Sequence, residues 1–182
     1  LAAVIIEPMV QGAGGMRMHS PKFLKTLATK VQERGILLIT DEVMTGFGRT
    51  GKMFAVEHAN VKPDIMCVAK GLTGGILPLS ATLATDAIYN AFLDNDVRRA
   101  FLHGHSFTAN PIACAAALAS LKIFKEEPVF ERIRSIEAVY QDRFPKLAEH
   151  PLVKSTRILG SIGVVELSGD GGYFNNIGLR LR

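Results

Sequence analysis

Short apolar runs alternate with amphipathic stretches along the chain, and glycine-rich turns separate them. Residues 3–6, Ala-Val-Ile-Ile, are apolar without a break, the pattern of a buried strand. A glycine-rich turn follows at residues 11–15. Ser20-Pro21 then supplies an N-cap and a proline at the first helical position. Phe23, Leu24, Leu27, Ala28 and Val31 recur at helical spacing, and Gly35 closes that helix as a C-cap. Residues 36–40 form the next apolar run. Strand, helix, strand over this length predicts a right-handed parallel crossover. Residues 65–69 predict a further strand, 79–85 another paired strand, and 86–93 a helix. Asn110-Pro111 opens an alanine-rich helix reaching to about Lys125.

The character changes near Glu127-Pro128. Val129, Phe130, Ile133, Ile136, Val139, Tyr140 and Phe144 mark an amphipathic helix, kinked or ended at Pro145. Residues 157–159 and 162–167 then predict two short strands around Gly160. This shift places a domain boundary near residue 126, dividing 1–125 from 126–182. The glycine-rich, polar residues from Gly169 onward carry no assignable pattern. The chain opens with Leu1 inside an apolar run and closes without an evident stopping device, so an interior piece of a longer protein is expected.

Composition narrows the class. The chain has 182 residues, 48% hydrophobic and 21% charged, with a net charge of +4. Its 21 Lys and Arg are scattered, which argues against a nucleic-acid tract. No apolar run approaches the roughly 20 residues needed to span a bilayer, and no signal peptide is visible. Cys67 and Cys114 make no Cys-x-x-Cys motif and lie in apolar stretches, which suits reduced thiols and a cytoplasmic location.

The candidate chemistry sits at strand ends. Asp41 follows the run Ile36-Leu37-Leu38-Ile39-Thr40, and Lys70 follows Ile65-Met66-Cys67-Val68-Ala69. A pyridine-aldehyde cofactor needs an amine to condense with the aldehyde and a carboxylate to hold the ring nitrogen protonated. Neighbouring strands lie roughly 5 Å apart, close to the width of such a ring. Glu7-Pro8 ends the first run and brings Glu7 to the same edge, where open α/β sheets bind ligands. The alternative for Lys70 is a surface lysine, and for Asp41 a helix cap or a metal ligand. Partial burial would make the Lys70 amine a better nucleophile.

Two other readings compete. Gly46-Phe47-Gly48-Arg49-Thr50-Gly51-Lys52 has the spacing of a phosphate loop, but Met53 lacks the hydroxyl that binds magnesium, and the loop follows its acidic strand too closely. His103 and His105 have a spacing compatible with metal ligation, but no third ligand follows, and no metal site is expected. Ser106 and Thr108 precede a helix start, where hydroxyls and free amides suit a phosphate. A helix-capping loop is the bland alternative there.

Taken together, Glu7-Pro8, Leu38-Ile39-Thr40-Asp41-Glu42-Val43, Thr45-Gly46-Phe47-Gly48-Arg49-Thr50-Gly51, Ala69-Lys70-Gly71 and Asn110-Pro111 resemble the motifs of class III pyridoxal-phosphate aminotransferases, in order and spacing, over about residues 1–125. The resemblance implies an α/β chain with the type I pyridoxal-phosphate-dependent transferase fold. Residues 1–125 are then the C-terminal half of the large mixed-sheet domain, and 126–182 the truncated beginning of the small C-terminal domain. It implies pyridoxal 5'-phosphate as cofactor and a homodimer with a shared active site. Lys70 is then the catalytic lysine, joined to the cofactor and facing substrate. Asp41 holds the ring nitrogen. Ser106, with His105 beside it, meets the cofactor phosphate across the dimer, and Gly104 lies against substrate. Relatives often carry proline at the position of His105.

The resemblance is narrowest to members that move an amine from S-adenosylmethionine to 8-amino-7-oxononanoate, giving 7,8-diaminononanoate in biotin synthesis. Glutamate or ornithine users tend to carry an acid in the turn after Glu7-Pro8, and residues 11–15 have none. The alternatives are another class III aminotransferase acting on ω-amino acids or diamines, an aminomutase, or an inert piece that is inactive by itself.

Overall fold

The computed structural model describes residues 1–169. The glycine-rich stretch without assignable pattern lies outside these residues except for Gly169.

β1 (Ala3–Ile6) runs out from the N-terminus into the turn that carries Glu7. A small hairpin of β2 (Val10–Gln11) and β3 (Arg17–Met18) follows. α1 (Pro21–Gln32) starts where the sequence predicts, with the Phe23 amide donating to Ser20 Oγ and Pro21 in the first turn. It closes through Gly35 in a left-handed conformation, with the Gly35 amide bonded to the Gln32 carbonyl and the Ile36 amide to that of Val31.

β4 (Leu37–Asp41) pairs in parallel with β1, Ile6 opposite Thr40. β5 (Ile65–Val68) pairs in parallel with β4, Asp41 opposite Cys67. β6 (Ala81–Ala84) adds an antiparallel edge, so the sheet order is β1-β4-β5-β6 and the sheet is mixed.

Alternation along β4 sets the two faces of this sheet. Leu38 and Thr40 are fully buried, while Leu37 and Asp41 on the opposite face are not. α1 covers the buried face, packing Ala28 and Val31 onto Leu38. The other face, with Ile5 64% exposed, is left open by the described residues.

After the short α2 (Asp86–Asn90), α3 (Pro111–Glu126) packs against the 3₁₀ turn at Lys70–Thr73. Ala113 and Ala117 are its buried positions, and Ser120 Oγ donates to the Gly71 carbonyl at 3.2 Å. Asn110 caps α3 by accepting from the Ile112 and Ala113 amides at 3.0 and 3.2 Å. Asn110→Ala removes both bonds, so it is expected to lower stability by about 1 kcal/mol, read as a lower urea midpoint without a change in slope.

α4 (Val129–Ala148) differs from expectation at its end. It does not stop at Pro145 but continues to Ala148. The missing proline amide falls in the last turn, where only one intrahelical bond is forfeited. Phe144, buried and paired with the Tyr140 ring, anchors that turn on the hairpin of β7 (Val153–Leu159) and β8 (Ile162–Leu167). β7 begins earlier than the sequence pattern indicates. Ile162 joins the core formed by Met9, Val10 and Leu24, so the hairpin packs back onto the first part of the chain.

Candidate active site

Three parallel neighbours, β1, β4 and β5, end on one edge of the sheet, and the next residues are Glu7, Asp41 and Lys70 or lie close to it. Asp41 is half-buried on the open face. Its Oδ1 accepts from the Val43 amide at 3.0 Å, and no donor among the described residues reaches Oδ2. Lys70 is exposed, so this chain does not supply the burial expected around its amine. Its backbone is unusual: φ is 46°, a left-handed conformation that a lysine adopts at a cost of about 1 kcal/mol or more. Glu7 is turned into its own loop, where Oε2 accepts from the Gly12 amide at 2.8 Å.

The backbone next to Lys70 is tightly packed. Gly71 follows it, and a Cβ on Gly71 would lie 2.7 Å from Phe47 Cβ. Phe47 therefore presses directly on the backbone beside Lys70. Phe47 is itself left-handed, at φ 57°, and its ring stacks edge-on with Phe54 at 5.6 Å.

Glu42, for which the sequence pattern indicates no role, is the organising group of this loop. It is fully buried. Oε2 accepts from Thr45 Oγ1 at 2.6 Å and from the Ala55 amide at 3.0 Å, and Oε1 accepts from the Val56 amide at 2.9 Å. Burial pushes its carboxyl above the ordinary value, against the opposing pull of those three hydrogen bonds. The signal for it lies in the alternation: Leu38, Thr40 and Glu42 share the buried face, and Asp41 takes the other. At the far side of the loop, burial holds the His58 imidazole below its usual value, and its Nε2 bonds the Thr50 carbonyl at 2.9 Å.

The hairpin braces the edge from two sides. Its tip fastens the loop: the Ser161 amide and Oγ both donate to the Arg49 carbonyl, at 3.0 and 3.1 Å. On β7, Arg157 donates to the carbonyls of Met16 and Gly15, at 3.3 and 3.5 Å, and so grips the turn after Glu7. Glu166 holds Arg157 at 2.7 Å and Lys154 at 2.7 Å. These cations draw its carboxyl down to about 2.

Gly104, His105 and Ser106 are not brought to this edge. All three are exposed, and the hydrogen bonds of their loop stay within it: the His105 amide to Thr108 Oγ1, the Phe107 amide to His105 Nδ1. At the start of α3, Asn110 already takes the first two amides, those of Ile112 and Ala113. Ser120, which bonds the Gly71 carbonyl, stands nine residues after the first residue of α3, so at 1.5 Å per residue the helix start lies about 14 Å along the axis from that hydrogen bond.

The edge thus carries, at neighbouring strand ends, an amine without a hydrogen-bond partner among the described residues and a carboxylate with one free oxygen. That is the donor set a pyridine ring bearing an aldehyde requires.

The sequence matches the family described as aminotransferase class-III over residues 1–177. The adenosylmethionine-8-amino-7-oxononanoate aminotransferase of Synechococcus elongatus is 52% identical across the whole chain, which covers 43% of that protein. The crystal structure of the enzyme of that name from Methanocaldococcus jannaschii superposes with a TM-score of 0.87 at 42% identity, covering 91% of this chain and 39% of that one. An (S)-enantioselective omega-transaminase from Thermomicrobium roseum superposes with a TM-score of 0.83 at 38% identity, over 91% of this chain and 36% of that one. The chain thus spans about two fifths of the length of these relatives, and its fold is part of the type I pyridoxal-phosphate-dependent transferase fold. With a family match across nearly all its length and a relative 52% identical throughout, the chain belongs to the class III aminotransferases.

Proposed function

We propose that the full-length protein is a pyridoxal 5'-phosphate-dependent aminotransferase that moves an amine from S-adenosylmethionine to 8-amino-7-oxononanoate, yielding 7,8-diaminononanoate for biotin. The observation that carries the chemistry is the placement of Asp41 and Lys70 on neighbouring parallel strand ends, each with an uncommitted polar atom. The substrates rest on the name borne by relatives up to 52% identical.

The cofactor, when bound, supplies an aldehyde that captures amines and a ring that accepts electrons. Lys70 provides the amine that tethers it. The Lys70 amine would also serve as general base and then acid, accepting a proton from the substrate carbon and donating it back. Asp41, whose Oδ1 accepts from the Val43 amide, would hold the ring nitrogen protonated. Ser106, flanked by His105, donates its hydroxyl to the phosphate in the partner's site, and Gly104 leaves room for substrate.

A homodimer with a shared site fits the surface that carries these residues. Phe101, Leu102, Phe107, Ile112 and Leu118 are all more than two-thirds exposed on the same segment, an apolar area that a second copy would cover. Residues 1–125 form the C-terminal half of the large domain and 126–182 the beginning of the small one. The free, half-buried Cys67 and Cys114 suit a cytoplasmic enzyme. No helix among the described residues is long and apolar enough to cross a membrane.

The likeness to an omega-transaminase supports a second reading, transfer from ω-amino acids or diamines. Assaying the full-length protein with S-adenosylmethionine against these donors separates the two; faster turnover with a diamine would reject the first. Asp41→Asn is expected to lower kcat on the order of 10²-fold with little change in unfolding, because an amide oxygen can still accept from Val43. Near-parental turnover in that variant would remove Asp41 from its assigned role.

A further inference from the structure

We propose that Glu42 is a positioning residue that couples Asp41 to Lys70 through the loop between their strands. This rests on the aminotransferase reading above and adds a residue that touches neither cofactor nor substrate.

The chain of contacts is continuous. Glu42 directly follows Asp41, and its amide bonds the Cys67 carbonyl at 2.9 Å, tying the ends of β4 and β5 together. Its side chain points to the buried face and gathers Thr45 Oγ1 and the amides of Ala55 and Val56. Those three donors stand on both flanks of the loop, so one carboxylate closes it. The Gly46 amide adds a bond to the Glu42 carbonyl at 2.9 Å. The closed loop delivers Phe47 onto Gly71, where only a residue without Cβ fits. Lys70, one residue back, is thereby held in a conformation it would otherwise leave.

A buried carboxylate is a costly way to close a loop. Desolvating it works against folding, and an amide in its place could close part of the loop without a charge. Glutamine, however, accepts at only one of the two oxygen positions. Its NH2 would face either the Val56 amide or the Ala55 amide and Thr45 hydroxyl. Accepting on both flanks at once requires the carboxylate.

The test is Glu42→Gln in the full-length holoenzyme. Expected is a fall in kcat of roughly 10- to 100-fold per folded, cofactor-loaded molecule, with the KM for the donor nearly unchanged, because the reacting amine is displaced while the substrate surfaces are not. The absorbance band of the Lys70-linked cofactor should shift or broaden. In cofactor-free protein, exchange of the Leu72, Gly74 and Gly75 amides, which bond the carbonyls of Ala69, Gly71 and Lys70, should quicken, while α1 amides stay as slow as in the parent. If the parent itself transfers no amine, the enzyme reading fails, and the exchange result alone judges the coupling. Unchanged exchange together with parental kcat overturns the proposal. Should Glu42→Gln not fold, Thr45→Val, which removes one donor and keeps the carboxylate, must show the same changes at smaller amplitude; their absence overturns it equally.

Discussion

Lys70→Ala in the full-length protein is expected to abolish borohydride-stable attachment of pyridoxal phosphate and to lower turnover by at least about 10³-fold. Two losses combine: the tether for the cofactor and the base that moves the substrate proton. Peptide mapping after borohydride reduction reads the first, and single-turnover kinetics the second. A label on another lysine, or turnover within an order of magnitude of the parent, would dismiss Lys70 from the chemistry. Folding gives no reason for a lysine here. At φ 46° the backbone favours glycine, and the ammonium finds no ion pair among the described residues. A residue kept against its own conformational preference and exposed at the edge where β5 ends is consistent with a part in the reaction.

Gly160→Ala is expected to cost the most stability, roughly 3 kcal/mol or more. A Cβ there would sit 2.4 Å from Gly51 N and from Thr50 C and 2.8 Å from Arg49 O, all backbone atoms, and φ is +58°. Nothing in that contact can rotate away. The substitution must push the hairpin tip off the loop and break the two Ser161 bonds to Arg49. Gly163→Ala makes the contrast: its Cβ meets the rings of Phe144 and Tyr140 at 2.8 and 3.1 Å, which are side chains that can shift. Urea midpoints of the two variants should therefore differ clearly. Equal midpoints would mean that the hairpin is not pressed on the loop as described.

Much of this edge was legible because it is built from local rules. Ser20-Pro21 and Asn110-Pro111 are start signals that need only their own backbone amides, and both helices begin there. The apolar runs before Asp41 and Lys70 are buried in a parallel sheet, so they read as strands without a partner in view. Pro145 does not end α4: the rule that proline breaks a helix is local, whereas the last turn of α4 is held by Phe144 against Gly163 of the hairpin. The loop at 103–108 left two readings open; Asn110 occupies the first free amides of α3, and the Ser106 hydroxyl has no partner among the described residues.

The sequence by itself determined the main strands and helices, the placement of Asp41 and Lys70 at strand ends, and the family. These follow from periodicity, caps and motif spacing, which are properties of contiguous residues. Only the tertiary structure decided that Glu42 is buried with three donors, that Phe47 packs on Gly71 beside the left-handed Lys70, and that Gly160 meets the backbone of residues 49–51. Each of those depends on atoms brought together from distant parts of the chain, where close packing rather than local preference sets which side chain fits.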